Sequence, residues 1–444
     1  MNGERETRRR GALAIIVAGP IGLEAALYAR ALGHAPVVYE RGEAGQNVRA
    51  WGFVRFFSPW SMNVSRLGQE TLQRQGLELP PREACPSGEE YVRHYLDPLA
   101  RDLGDALRRG VEVLGVSRCG VLKGENVGGS RRARAPFRLL LLVRREDGVE
   151  VEEEATASVV LDTSGVFATP CWLGDGGLPA VGERGLQSRI DYRVADVLGA
   201  RRPEFAGKTT LVVGAGHSAA TSLCDLSRLV QAEPRTRVVW VRRSSGPGPF
   251  ALVDPDPLPE RGNLTRRANA LAAQPPPGID AREGVTVRAL ALDGDRLRVE
   301  VRPVEGGGTP ARFHVDRVIA NVGYRPDLAL HRELQVHLCY ASEGPMKLAA
   351  ILLGQGGAGD CLARRDVGPD ALLNPERGYF VLGHKSYGRR PDFLLRTGRE
   401  QIRDVFRLLE VDPALDLYEG DPASARRSRG DEIEEAEELA DADE

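Results

Sequence analysis

Residues 12–40 carry a pattern of apolar and polar positions that returns later in the chain. Ala12 to Val17 is a continuous apolar run, as in a strand buried on both faces. The turn Ala18-Gly19-Pro20-Ile21-Gly22 follows. Leu23, Ala26, Leu27 and Ala31 then recur at helical spacing, up to a C-terminal cap at Gly33. Pro36 to Tyr39 reads as a second strand, closing on Glu40. The same order is found again from Thr209. The strand Thr209 to Val213 leads into Gly214-Ala215-Gly216-His217-Ser218-Ala219. Ala220, Leu223, Leu226 and Leu229 mark a helical face, and Arg237 to Val241 is the next strand, ending at Arg242-Arg243.

Each unit runs on into shorter, alternating strands. The first is followed by Val111–Val116, Phe137–Val143, Val149–Glu153 and Ser158–Asp162. The second is followed by Val285–Leu292 and Leu297–Val301, joined through the hairpin dipeptide Asp293-Gly294. Each series closes on a strand and a small polar turn, Asp162-Thr163-Ser164-Gly165 in the first and Asn321-Val322-Gly323 in the second. Gln401 to Leu409 reads as a closing helix. The pattern predicts an α/β protein with two Rossmann-like, three-layer units, the second inserted in a discontinuous first. The boundaries expected are 1–165 and 323–420 for the first unit, 166–322 for the second, and 421–444 for a disordered acidic tail.

Composition narrows the classes. The chain has 444 residues, enough for two or three domains. Residues 431–444 hold nine acids; removing them from a net charge of −3 leaves a body of +6. That suits small anionic ligands and gives no basic stripe for nucleic acid. Six cysteines form no Cys-x-x-Cys pair and no zinc spacing, so no metal is expected and the compartment reads as reducing cytoplasm. Arg8-Arg9-Arg10 precedes an apolar run that Pro20, Gly22 and Glu24 cut short of a signal sequence. No segment has the ~18–20 apolar residues of a membrane span.

The glycine turns carry the chemistry. A helix N-terminus presents unpaired N–H groups and the positive end of its dipole, and glycines let a pyrophosphate approach that backbone. Gly19, Pro20, Ile21 and Gly22 make the first such turn, and Glu40 is placed to hold adenosine ribose hydroxyls. One position departs: Val17 stands where the pattern wants glycine for the tight turn, and a β-branched residue forced to an unfavourable backbone angle costs about 1–3 kcal/mol. In the second turn, Gly214, Gly216, His217, Ser218 and Ala219 repeat the arrangement. Its strand end carries Arg242 and Arg243 in place of an acid, and guanidinium groups pair with a 2′-phosphate. Unlike strand ends imply unlike ligands, and the economical pair is FAD in the first unit and NADPH in the second.

With these residues in hand, the chain resembles the two-dinucleotide-binding-domain flavoproteins, which include thioredoxin reductase, glutathione reductase and the flavin-containing monooxygenases. The resemblance rests on Ala18 to Ala26, Glu40-Arg41, Gly214 to Ala219, Asp162 to Gly165 and Ala320 to Pro326. It implies FAD contacts from Arg41, Val116, Ser164 and Gly165, and a linking role for Gly323. It also implies a C-terminal flavin segment at Tyr379 to Gly388, with Gly383, His384 and Lys385 at the cofactor and His384 where the family has an acid. Gly359-Asp360 is the alternative match. Lys385 and His384 are expected to bias the flavin as cations, and Thr397-Gly398 to start a helix facing it. Trp51 to Trp60, which holds half of the four tryptophans, reads either as a flavin wall or as core. No catalytic residue is assignable. The resemblance implies hydride transfer from NADPH to FAD and oxidation of a small organic substrate with O2. A homodimer is compatible with it. A reductase without oxygen insertion, or a nucleotide-binding scaffold without turnover, stays open.

Overall fold

The computed structural model describes residues 12–246, 248–305, 310–355, 362 and 367–420. Gly359-Asp360, Arg8 to Arg10 and the acidic tail lie outside the described residues. The chain divides into two compact units: Met1–Ala168 with Arg325–Glu444, and Thr169–Tyr324.

In the first unit, β1 (Leu13–Ile16), β2 (Pro36–Glu40), β3 (Leu107–Arg109) and β7 (Val159–Asp162) lie in a parallel sheet; β4 (Val111–Arg118), β5 (Phe137–Arg144) and β6 (Glu150–Ala157) form a separate antiparallel sheet. The second unit contributes β8 (Ile190–Asp191), β9 (Thr209–Val213), β10 (Arg237–Val241), β11 (Ile279–Arg282), β12 (Val285–Asp293), β13 (Arg296–Pro303), β14 (Ala311–Val315) and β15 (Arg317–Ala320). The chain then returns to the first unit with β16 (Tyr379–Val381). The parallel sheets run in the orders β16-β7-β1-β2-β3 and β11-β10-β9-β15-β8.

Each parallel sheet is covered on both faces, which is why central strands such as β1, β9 and β10 are mostly apolar, while the edge strands β3, β8 and β11 carry charged residues. In the first unit, Ile16, Tyr39, Val160 and Val381 face Val116, Phe137 and Leu139 of the antiparallel sheet. The opposite face packs on the Pro20–Ala31 and Leu395–Glu410 helices through Leu23, Leu27, Ile402 and Phe406. In the second unit, β12, β13 and β14 cover one face and the His217–Ala232 and Pro259–Ala273 helices the other. These are the three-layer units that the sequence pattern predicts.

A buried ion-pair group fastens the antiparallel sheet of the first unit to the segment before β16. Glu376 accepts from Arg118 Nε at 2.7 Å and Arg132 Nη2 at 2.7 Å, and also from the Gln335 N–H at 2.7 Å. Burial opposes ionisation of Glu376, but these partners hold its carboxyl below the usual range.

Some elements differ from the sequence expectation. The closing helix begins at Leu395, six residues before the predicted Gln401. In the β12–β13 hairpin, Asp293 is the last paired residue and Gly294, at φ +59°, opens the turn. Short helices at Trp60–Asn63, Arg66–Arg74, Gly88–Tyr91 and Asp97–Leu103 fill the stretch after β2. The last two are joined by a π turn at Val92–Leu96 into one helical run from Gly88 to Leu103, which the sequence pattern does not predict.

Candidate functional site

The first glycine turn joins β1 to the Pro20–Ala31 helix. Val17 stands there at φ +79°, the strained conformation anticipated from its position. Thr163 at the end of β7 holds the strained segment: its Oγ1 lies 2.7 Å from the Ile16 carbonyl and 3.0 Å from that of Val17. Gly22 is required by contact, since a Cβ there would lie 2.0 Å from Val17 O. Gly19 is required by nothing inside the protein. Its φ is an ordinary −77°, and a Cβ there would meet no atom within 4 Å. It caps the helix without a side-chain hydrogen bond, and Pro20 occupies the first turn. Ile21 packs against Gly383 and Gly398.

Glu40 is buried at the end of β2. One oxygen accepts from the Ala18 N–H at 2.9 Å and the other from the Gly42 N–H at 2.9 Å. Burial is the main influence and raises its carboxyl above the usual value. A carboxylate has about four acceptor sites, so two remain for ribose hydroxyls. Arg41 is exposed and pairs with Glu112 at 3.5 Å. Val116 has its side chain packed in the core between the two sheets, and its backbone pairs with Leu139.

Ile16, Asp162 and Val381 lie at one level, at the carboxyl ends of three adjacent parallel strands. This is the edge where open α/β sheets bind ligands. Asp162 is fully buried there. It accepts from Lys385 Nζ at 2.6 Å, Tyr379 OH at 2.7 Å, and Ser164 through N–H at 3.1 Å and Oγ at 2.6 Å. Burial alone would raise its pKa, but Lys385 holds the carboxyl well below the usual range. Lys385 is therefore corrected from a free cation biasing the flavin to the buried partner of Asp162. Its second bond, 3.1 Å to Ser164 Oγ, orders the loop that carries Gly165. A Cβ at Gly165 would meet nothing within 4 Å, so this loop also presents open backbone.

Gly383 takes φ +70° and donates its N–H to Gln401 Oε1 at 2.9 Å. His384 is half-buried, stacked on Phe393 and edge-on to Phe167, with Nε2 3.1 Å from Arg390 O. A carbonyl only accepts, so Nε2 carries the proton in this contact. Burial lowers the imidazole pKa, so His384 is neutral at pH 7 and not the cation expected. Gly398 lies in the first turn of the Leu395–Glu410 helix, against Ile21 and Phe393. In the Trp51–Trp60 segment, Trp60 is buried on Tyr91 and Trp51 packs on Phe56, while Phe53 and Arg55 are exposed.

The second turn follows β9. Gly214 adopts φ +135°, and a Cβ there would lie 2.2 Å from Asn321 O. Asn321 is held by Ser222 Oγ at 2.8 Å. Gly216 caps the His217–Ala232 helix without a side-chain bond and has open space around a Cβ position. His217 and Ser218 are exposed, and Ala219 is buried. Gly323, at φ +88°, accepts from the Cys171 N–H at 3.0 Å.

The strand-end arginines part company. Arg242 is buried, ion-paired to Glu283, donates to Gly246 O at 2.9 Å and lies over the Trp240 ring. Its guanidinium is thus committed inside the protein, contrary to the sequence expectation. Arg243 is exposed at the same strand end. Among the described residues, five cysteines are free and no group of acids, histidines and cysteines could hold a metal ion. No helix among them is long and apolar enough to cross a membrane.

No family model and no curated protein matches the chain. Solved structures do. Bacillithiol disulfide reductase Bdr (YpdA) of Bacillus cereus is 17% identical, with a TM-score of 0.60 over 91% of this chain and 99% of its own. DfoA, the desferrioxamine-pathway cadaverine monooxygenase of Erwinia amylovora, is 13% identical, with a TM-score of 0.61 over 91% and 95%. KtzI, an ornithine N-hydroxylase of Kutzneria sp. 744, is 12% identical, with a TM-score of 0.59 over 90% and 99%. The chain shares its fold with these three proteins over nearly their whole length. DfoA was solved with FAD, and KtzI with reduced FAD, NADP+ and L-ornithine. At these identities the likeness concerns the fold.

Trp240, which holds the second turn, carries no sequence motif; Asp162 and Thr163 lie in the strand-end motif Asp162 to Gly165, which gave no sign of their contacts with Lys385 and with the Ile16 and Val17 carbonyls. Lys385 offered one signal, being one of only four lysines in an arginine-rich chain.

Proposed function

We propose that this chain is an FAD-dependent oxidoreductase that takes its electrons from NADPH and oxidises a small organic substrate in the manner of a monooxygenase. The observation that carries the reading is the pair of glycine turns with opposite strand ends. One has a buried carboxylate, Glu40, and the other an exposed guanidinium, Arg243. Open backbone at Gly19 and Gly165 fits FAD in the first unit, and open backbone at Gly216 fits a pyrophosphate in the second. The fold shared with DfoA and KtzI supports both assignments. We assign 1–165 and 323–420 to flavin binding and 166–322 to NADPH binding.

FAD, when bound, supplies a two-electron acceptor for hydride and, reduced, a donor to O2. The protein's part is binding and orientation. The first-turn N–H groups beyond Gly19 receive the pyrophosphate, and Glu40 accepts from ribose hydroxyls through its remaining lone pairs. Asp162, charged at neutral pH, keeps Lys385 and Ser164 in place, so the Gly165 and Gly383 segments stay ordered beside the turn. His384 contributes a neutral ring. In the second unit, Gly216 opens the helix to the coenzyme pyrophosphate, and Arg243 receives the 2′-phosphate.

Arg243→Ala is expected to raise the KM for NADPH about tenfold or more, since a hydrogen bond to a charged group is worth about 1.5–3 kcal/mol. The KM for NADH should barely change. Steady-state kinetics with both coenzymes checks this, and equal losses for the two would contradict the 2′-phosphate role.

A further inference from the structure

Trp240 is the only tryptophan in a strand of β-branched neighbours, and it is fully buried. Its indole makes three contacts of different kinds. Nε1 donates to the carbonyl of Gly214 at 2.9 Å. The ring stacks on Phe250, with centroids 5.8 Å apart and planes 8° from parallel. The Arg242 guanidinium lies 5.4 Å from its centroid. Phe250 is itself fixed by reciprocal bonds with Asn269, 3.1 Å to its N–H and 2.9 Å from its carbonyl.

The first contact sets the geometry of the second glycine turn. Gly214 precedes a trans peptide, in which C=O and N–H project from opposite edges of one plane. Tying the Gly214 carbonyl to the indole therefore turns the Ala215 N–H away from Trp240, as a donor next to Gly216. Glycine at φ +135° has no Cβ to restrict it; its N–H is held by the Val241 carbonyl at 3.1 Å, and the indole fixes its C=O. The first unit solves the same problem with Thr163, whose hydroxyl holds the Ile16 and Val17 carbonyls. The remaining two contacts reach the loop after β10, which begins with Arg242 and Arg243 and returns at Phe250.

We propose that Trp240 is a positioning residue that couples the two ends of the second nucleotide site: its N–H orients the pyrophosphate turn, and its ring anchors the loop that presents Arg243 to the 2′-phosphate. The proposal rests on the NADPH assignment above and assigns separate jobs to the two edges of one side chain. Removing the N–H alone weakens any coenzyme with a pyrophosphate. Removing the ring contact on the loop side weakens only the coenzyme with a 2′-phosphate.

The test is calorimetric titration of the full-length, flavin-loaded protein with NADP+ and with NAD+, for the wild type, Trp240→Phe and Phe250→Ala. One hydrogen bond corresponds to a loss of about three- to tenfold. Trp240→Phe removes the N–H and also trims a buried ring, so it is expected to lower the melting temperature, to weaken both coenzymes by at least that factor and to leave FAD affinity close to wild type. Phe250→Ala is expected to weaken NADP+ and leave NAD+ unchanged. Wild-type coenzyme affinity in Trp240→Phe would overturn the proposal, as would a parallel loss of FAD. An equal loss of both coenzymes in Phe250→Ala would overturn the two-ended coupling. A wild type that binds neither coenzyme would instead remove the NADPH assignment, before any variant is compared.

Discussion

Lys385→Met is expected to cost about 3–5 kcal/mol of stability at neutral pH, because it leaves a buried carboxylate without its counter-charge. The side chains of Lys385 and Asp162 are both essentially inaccessible to water. Methionine fills similar space, so the loss is electrostatic and not a cavity. The pH dependence identifies it. In the wild type, Asp162 has a folded pKa depressed below its unfolded value of about 3.9. Its contribution is complete above that value and lost as pH falls through the folded pKa. Without Lys385 the largest lowering influence is lost and the folded pKa rises, with His331, whose Nδ1 lies 3.8 Å from Asp162 Oδ2, still opposing burial. The variant is then penalised relative to wild type as pH rises. The gap between variant and wild type should narrow from pH 8 to about pH 4 in urea unfolding. Asp162→Asn on the Lys385→Met background should recover part of the loss. A gap independent of pH would remove the ion pair from the explanation.

The second large effect concerns two glycines three residues apart. Gly22→Ala places a Cβ 2.0 Å from Val17 O and 2.8 Å from Thr163 Oγ1, so the turn must shift and the apo protein loses stability. Gly19→Ala meets nothing within 4 Å and keeps an ordinary φ. Its apo melting temperature should match wild type or exceed it slightly, since alanine restricts the unfolded chain. Its FAD affinity should fall, because the methyl group occupies the space a pyrophosphate needs; overpacking of about 1–3 kcal/mol corresponds to roughly five- to 150-fold. Thermal melts of apo protein and fluorescence titration with FAD separate the two variants. Gly19→Ala with wild-type FAD affinity would place the cofactor elsewhere.

Much of this architecture is legible in the chain because it rests on local rules. The central buried parallel strands are apolar runs, and each glycine turn sits between such a run and a segment of period 3.6. The repeat of that order exposes two units. Val17 was legible too, since a β-branched residue at the first glycine position has to adopt positive φ for the turn to form. What the chain did not disclose depends on contacts between distant residues. Asp162 and Lys385 are 223 positions apart, and only the pairing of β7 with β16 brings their segments together. Arg242 and Arg243 are indistinguishable in sequence, yet Glu283, 41 positions on, withdraws the first into the protein. Val116 fits a strand facing a ligand as well as one facing a core; the facing sheet decides. Trp240 reads as one more apolar strand residue until its N–H is seen to hold Gly214.

The most direct measurement of the central claim is anaerobic mixing of the flavin-loaded, full-length protein with NADPH, followed by absorbance in the visible flavin band. The account predicts that the band bleaches with one equivalent of NADPH, far faster than with NADH, and returns when air is admitted. Protein that holds FAD but keeps its oxidised spectrum in excess NADPH would contradict it.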